Sequence, residues 1–455
     1  MQYEQSSTIV AQATAVGESG IAVVRISGNQ SFQIMQQVFR SKHAVENFES
    51  HRMYYGTVIN RSNEIIDEVM AVYMKSPLTY TREDVVEIQC HGSQIIISAI
   101  IRLIQSYGAR IAEPGEFTYR AFIHGRIDLT QAEAINQLIQ SKSYYAMKSS
   151  IQQVNGSARQ FYDDIRTEIF DIQGELVACL DFPDEYDDVL TKNSILRKCE
   201  HLITRLERAT NEKRLKIINT SAKAVLIGLP NAGKSTILNR LIGYDRAIVT
   251  DIPGTTRDLI TDFYQYKGIN VQITDTAGIR ETNNQIEKIG IQKALDVLED
   301  SDITIYVIDN CQKDIPDMNC SPDIIIFTKC DICSNKDKQR ILLDSDIGKN
   351  TPVIMSSMDD SLVIEQIKET IYEKVVALND INDHSFFITQ ERQHEKIVQI
   401  RNEIQAGIES IENGLYMDVL SSVLSECLNI LSAITGENES EDMISHVFNT
   451  FCIGK

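Results

Sequence analysis

The stretch Gly228-Leu-Pro-Asn-Ala-Gly233-Lys234-Ser235-Thr236 follows the apolar run Ala224-Val-Leu-Ile227 and precedes a segment patterned as a helix. Phosphate oxygens carry charge that backbone N–H groups meet at close range only where side chains are absent, which accounts for Gly228 and Gly233. Lys234 supplies a point charge for the outer phosphates and Ser235 a hydroxyl for Mg²⁺. Together with Asn231, Ala232 and Thr236 these residues form a strand-loop-helix cradle, and the chain is read as binding a nucleoside triphosphate.

Two later segments fit the same site. Asp275-Thr-Ala-Gly278 ends the alternating run Val271-Gln-Ile-Thr, where an Asp can hold the Mg²⁺ shell and a Gly can approach the terminal phosphate. Asp331 follows the buried-type run Ile324-Ile-Ile-Phe-Thr328-Lys329-Cys330, where a carboxylate can accept two hydrogen bonds from guanine that adenine cannot offer. The nucleotide is therefore read as GTP. Thr328 stands where guanine-specific NTPases usually carry Asn in Asn-Lys-x-Asp, so looser base binding is expected. Ser356-Ser357-Met358 takes the place of the later Ser-Ala-type loop, which offers mainly a backbone N–H to the base.

These segments need a scaffold, and proline placement divides it. Residues 128–180 are free of proline, read as helical and open with Asp128-Leu-Thr130-Gln-Ala-Glu133, where Thr130 and Glu133 fit a capping box. Residues 184–215, 361–378 and 389–434 also read as amphipathic helices. The nucleotide module thus sits between two helical segments that could pack as one domain, which would couple nucleotide state to helix packing. Earlier in the chain, 21–27, 65–73 and 85–89 are β-type runs separated by helix-like stretches such as 94–107, an α+β pattern. Arg25 and Glu87 lie inside those apolar runs and need either an ionic partner or a ligand.

A chain of 455 residues suits roughly three domains. With 43% hydrophobic residues it can build real cores. A formal net charge of −20 argues against broad non-specific binding to nucleic acid, so any RNA contact must be local or aided by a partner. Nothing near Met1 resembles a signal peptide, and no apolar run is read as approaching the roughly 20 residues of a membrane span, so a cytoplasmic protein is expected. The nine cysteines lack framework spacing and are read as reduced thiols; Cys330 and Cys333 have C-x-x-C spacing but no second pair for a metal.

Over its whole length the chain resembles the MnmE/TrmE family of tRNA modification GTPases. The matching stretches are Thr8-Ile-Val-Ala-Gln-Ala-Thr14, Gly20-Ile-Ala-Val-Val-Arg-Ile-Ser-Gly28, Arg82-Glu-Asp-Val-Val-Glu-Ile-Gln-Cys-His-Gly92, Pro114-Gly-Glu-Phe117, Asp128-Leu-Thr-Gln-Ala-Glu-Ala-Ile135, Asp181-Phe-Pro-Asp-Glu185, Gly254-Thr-Thr-Arg-Asp258 and Phe451-Cys-Ile-Gly-Lys455. The resemblance implies an N-terminal α+β folate-binding and dimerisation domain (1–122), a discontinuous helical domain (123–217 and 381–455) and an inserted Ras-like P-loop GTPase domain (218–380).

It further implies that Arg25, Glu87, Arg126 and Lys455 bind a tetrahydrofolate one-carbon derivative, and makes Cys452 a candidate nucleophile. Ile279 follows Gly278 where a water-orienting Gln is absent, and in this family K⁺ takes the place of an arginine finger. The matching K⁺ ligands are Asn231, Thr250, Ile252 and Thr255; Thr256 joins Ser235 at Mg²⁺, and Glu287 matches the water-positioning carboxylate. The implied reaction is GTP hydrolysis coupled to modification of C5 of the wobble uridine of certain tRNAs. The implied assembly is a homodimer working with an FAD-dependent partner as a heterotetramer. Two alternatives stand beside it. A ribosome-assembly GTPase without one-carbon chemistry would predict a basic RNA-binding module, and a folate enzyme with a vestigial GTPase conflicts with the intact P-loop.

Overall fold

The computed structural model describes residues 7–141, 143–182, 188–219, 221–243, 260–275, 301–311, 321–332, 351–357, 361–379, 386–413, 418–451 and 453–454. The chain forms two compact units. One comprises 1–139, 151–203 and 395–455; the other comprises 140–150 and 204–394.

The first unit contains strands β1 (Ile9–Gln12), β2 (Ser19–Ser27), β3 (Phe39–Ser41), β4 (Arg52–Ile59), β5 (Ile65–Met74), β6 (Val85–Gly92) and β7 (Arg110–Ile111). They form a seven-stranded sheet in the order β3-β4-β5-β6-β2-β1-β7. Side chains alternate across a strand, so Ala22, Val24 and Ile26 of β2 and Val86, Ile88 and Cys90 of β6 share one face. That face is covered by Ile34, Met35 and Val38 of helix Ser31–Val38 and by Ile97, Ile100 and Leu103 of helix Gln94–Gln105. The same period puts Arg25 and Glu87 on the opposite face, and the antiparallel register sets them directly across from one another.

The proline-free tract 128–180, read as helical, holds three helices: Leu129–Gln140, Tyr144–Val154 and Ser157–Asp181. Gly156, in the left-handed region at φ 94°, precedes the last. The capping box also lies two residues earlier than Thr130 and Glu133. The Asp128 carboxylate accepts from the Gln131 backbone N–H at 2.9 Å, and the Gln131 side-chain oxygen accepts from the Asp128 N–H at 3.0 Å. Asp128 wins because its charged oxygen also takes the Thr130 hydroxyl at 2.7 Å, which removes Thr130 from the capping role.

Helix Ser157–Asp181 packs on helix Asp418–Thr435, joined by Gln173 donating to the Ser425 hydroxyl at 2.8 Å. The two helical segments therefore do pack together, across a long intervening stretch of chain. Asp418–Thr435 is long and apolar enough by composition to cross a membrane, a run the sequence reading passed over. Its Leu420, Leu424, Cys427, Leu431 and Ile434 are buried within this unit. Helix Glu441–Asn449 closes the unit: Val447 and Phe448 pack with Phe451, Leu129 and Ala132.

The second unit contains β8 (Ala222–Ile227), β9 (Ile260–Tyr266), β10 (Ile269–Asp275), β11 (Ile303–Asp309), β12 (Ile324–Thr328) and β13 (Val353–Met355), in the order β13-β12-β11-β8-β10-β9. All neighbours are parallel except the β9/β10 hairpin. Parallel strands are covered on both faces, which is why β12 reads as an unbroken apolar run and is buried at every position. Helices Lys234–Gly243 and Ser361–Asn379 contribute Ile237, Leu241, Ile367 and Ile371 to its core. This is a P-loop α/β domain inserted into a discontinuous helical domain that follows an α+β domain. Cys311 is disulfide-bonded, so the reading of every cysteine as a reduced thiol fails at this position; spacing alone could not reveal the pair. Cys90, Cys199, Cys330 and Cys427 are free thiols.

Candidate functional site

The phosphate cradle grows from the C-terminal end of β8. At Gly228, φ is 150° and a Cβ would be driven into the Val307 carbonyl of β11, so the residue must be Gly for packing as well as for phosphate approach. Asn231 at φ 63° and Gly233 at φ 95° curl the loop back on itself. Lys234 is the first residue of the following helix, and its Nζ donates to the carbonyls of Gly228 at 2.7 Å and Leu229 at 3.0 Å. Burial pulls the Lys234 ammonium below its ordinary value, and the nearby Asp275 charge opposes that. An ammonium held this way is poised for an anion.

Ser235 and Asp275 meet directly, the hydroxyl donating to the carboxylate at 2.6 Å with Asp275 fully buried. Two hard oxygens from a helix start and a strand end are the donor set that suits Mg²⁺. Thr236 continues the helix, its N–H bonded to the Gly233 carbonyl at 3.1 Å.

The segment after β12 joins the same loop. The Thr328 hydroxyl donates to the Ala232 carbonyl at 2.7 Å. Lys329, at φ 57°, reaches the Asn231 carbonyl at 3.2 Å and the Asp309 carboxylate at 2.6 Å. Asp331 is exposed at the open end. Ser356 is bonded through its N–H to the Phe327 carbonyl at 2.6 Å and through its carbonyl to the Cys330 N–H at 3.2 Å; Ser357 follows it. The structure thus brings Asn231, Ala232, Gly233, Lys234, Ser235, Asp275, Thr328 and Lys329 into one connected network. Asp309 was missed in the sequence, although it ends an apolar strand in the same manner as Asp275.

A second cluster lies on the opposite face of the first unit's sheet, beside the buried Ile9, Ala11 and Phe117. The Arg25 guanidinium donates to Glu87 at 2.8 Å and to the Gly454 carbonyl at 3.4 Å, so the end of the chain reaches this strand. A partner for Arg25 is therefore found within the protein, and both members of the pair keep side-chain exposures of 22%. Arg126 lies 4.7 Å from the Tyr80 ring centroid and donates to the Tyr80 carbonyl at 2.9 Å. Arg25 approaches the same ring at 5.9 Å and Phe117 at 5.6 Å. Burial raises the Tyr80 phenol above its ordinary value, and its hydrogen bond with Thr118 and both guanidinium charges oppose that rise.

Beneath the cluster, the buried Arg120 binds Glu83 at 3.0 Å and Glu116 at 2.9 Å, fixing the loop that carries Tyr80. Burial pushes the Glu116 carboxyl up, but Arg110, the Glu113 N–H and Arg120 outweigh it and hold it below the usual carboxylate range. Tyr80 and Phe117 were missed because an aromatic in sequence does not distinguish a site wall from core. Thr250, Ile252, Thr255, Thr256, Gly278, Glu287, Cys452 and Lys455 lie outside the described residues.

Comparison with known proteins adds the last evidence. Residues 8–126 match the family model described as the GTP-binding protein TrmE N-terminus, and residues 129–452 match the MnmE helical domain. The tRNA modification GTPase MnmE of Natranaerobius thermophilus is 37% identical over 98% of this chain and 99% of that one. That of Thermotoga maritima is 35% identical over 98% and 100% respectively. The G domain of the T. maritima FeoB iron transporter is 23% identical over 34% of this chain and 99% of that one, at a TM-score of 0.24. With a family model spanning most of its length and relatives matched end to end, the chain belongs to the MnmE family of tRNA modification GTPases.

Proposed function

We propose that this chain hydrolyses GTP to drive addition of a carboxymethylaminomethyl-type group at C5 of the wobble uridine of certain tRNAs. The one-carbon unit comes from a tetrahydrofolate derivative, and an FAD-dependent partner joins a homodimer of this chain in a cytoplasmic heterotetramer. The observation that carries the reading is the end-to-end match to tRNA modification GTPases in a chain whose P-loop residues form one connected network.

At the nucleotide site, Lys234 exchanges its carbonyl partners for phosphate oxygens. Ser235, Asp275 and Thr256 would hold Mg²⁺, and Asn231, Thr250, Ile252 and Thr255 would hold K⁺; bound there, the cations would supply positive charge where the transferred phosphoryl group becomes more negative. Glu287 orients the attacking water. Asp331, with the Ser356-Ser357 loop, is assigned to guanine, Lys329 to support of the loop, and Gly278 to the approach of the terminal phosphate.

At the second cluster the residues suit a folate in kind. Glu87 accepts hydrogen bonds of the sort a pterin ring donates, Arg25, Arg126 and Lys455 match an anionic glutamyl tail, and Tyr80 offers an apolar wall. Cys452 is kept as the candidate nucleophile, with packing or ordering of the chain end as its alternative role. Residues 1–122, 123–217 with 381–455, and 218–380 are proposed as the folate, helical and GTPase domains. An anticodon-loop base is single-stranded and can be splayed into such a site, which spares an acidic chain from gripping the RNA backbone broadly.

The test is the GTP hydrolysis rate in K⁺ against Na⁺ at equal ionic strength, with Asn231→Ala as control. Strong K⁺ stimulation lost in the variant is expected. Equal rates in both salts would sink the cation assignment and leave Asn231 a loop-shaping residue.

A further inference from the structure

Guanine presents two edges to a protein. One carries the N1–H and the amino group, which a carboxylate such as Asp331 can accept; the other carries the N7 and O6 acceptors, which need donors. Four donors of the base segment, on Thr328, Lys329, Cys330 and Ser356, are engaged within the protein. Thr328 is fully buried, and its hydroxyl has a single proton. That proton lies toward the Ala232 carbonyl at 2.7 Å, with the Ile308 carbonyl next nearest at 3.3 Å. Lys329 is turned onto Asp309 at 2.6 Å and onto the Asn231 carbonyl at 3.2 Å. The N–H groups of Cys330 and Ser356 are bonded to the carbonyls of Ser356 and Phe327. An Asn at 328 would carry two amide protons and could brace the loop while donating outward; Thr has the brace and nothing left over.

We infer that Thr328 is a specificity-determining residue that ties the base segment to the P-loop and leaves base position 7 unread, so guanine is recognised through its N1 and amino edge and, at O6, through the Ser356-Ser357 loop. The inference rests on the assignment of Asp331 to guanine. It follows that replacing N7 by carbon removes an acceptor the protein does not use. An amide introduced at 328 restores a reader for that atom.

The experiment is competition by GDP, 7-deaza-GDP and ADP against a fluorescent guanine nucleotide on the full-length chain, for the natural protein, Thr328→Asn and Thr328→Ser. GDP and 7-deaza-GDP are expected to bind the natural protein and Thr328→Ser within about twofold of one another. In Thr328→Asn, 7-deaza-GDP is expected to bind about fivefold or more weakly than GDP, the size of one neutral hydrogen bond. A fivefold preference for GDP in the natural protein would overturn the inference, and needs no variant to fold. Equal binding of the two analogues by a folded Thr328→Asn would overturn it as well. If ADP competes as well as GDP, the assignment of Asp331 itself fails, a result separable from the other two.

Discussion

A buried thiol shows how strongly a single side chain can depend on its surroundings. Burial pushes Cys199 up to about 11 and Cys427 up to about 12, and neighbouring acids add to both shifts. Since a raised folded value favours the neutral thiol, both contributions to stability are fully present below the unfolded thiol value of about 8.5 and are lost as pH rises toward the folded ones. The protein should therefore lose stability between about pH 8.5 and 11. Thermal denaturation at pH 8 and pH 10 measures this, with Cys199→Ser and Cys427→Ser flattening the alkaline limb; an unchanged limb would reject the assignment. Iodoacetamide at pH 8 should leave both thiols unmodified until the chain unfolds. At this scale the sequence was legible where chemistry is unusual for its place. Arg25 and Glu87 stood out as charges in apolar strands, and the register joins them. Tyr80 did not stand out, because its role depends on two guanidinium groups brought to it from distant positions.

Elements depend on their ends. Asp128 caps helix Leu129–Gln140 reciprocally with Gln131, and Asp128→Ala should cost about 1 kcal/mol or more of stability, read as a lowered denaturation midpoint. Gly115 makes a stronger case: at φ 69° it precedes helix Glu116–Ile123, and a Cβ there would enter the Phe448 carbonyl. Gly115→Ala should cost about 1–2 kcal/mol for the backbone alone and also loosen helix Glu441–Asn449. Limited proteolysis would then cut near residues 441–451 well before the natural protein is cut; equal protection would show that the close approach is not limiting. Strand positions were readable because period-2 burial survives in each β-run. Helix boundaries between 128 and 180 were less so, since apolar spacing continues across Gly156 and only its left-handed backbone marks the break. The capping box was misplaced for a similar reason: two overlapping patterns fit the sequence, and the charged Asp128 decided between them in the folded chain.

At the scale of the whole molecule, the two clusters are built on separate cores. The P-loop rests on β8, β10 and β11 with Leu226, Ile273 and Ile305 beneath it, whereas Arg25 and Glu87 lie across the first unit's sheet from Val24, Ile26 and Ile88. Each site is held by side chains of its own core, so binding at the two sites should separate by mutation. Lys234→Ala removes the ammonium that meets phosphate and should lower GTP hydrolysis by at least a hundredfold, the scale of losing a main charge-stabilising group. Binding of a reduced folate should stay within about twofold, because nothing around Arg25 changes. Arg25→Ala should do the reverse: it leaves Glu87 without its 2.8 Å partner and weakens folate binding about tenfold or more, with the basal hydrolysis rate kept. On the proposed function, which draws on both sites, modification of tRNA should fail in both. Folate titration by fluorescence, GTP turnover and nucleoside analysis of tRNA together read out this pattern. If Arg25→Ala lowered GTP turnover as much as folate binding, the two sites would be energetically joined in the resting chain, and their separation into two independent cores would have to be given up.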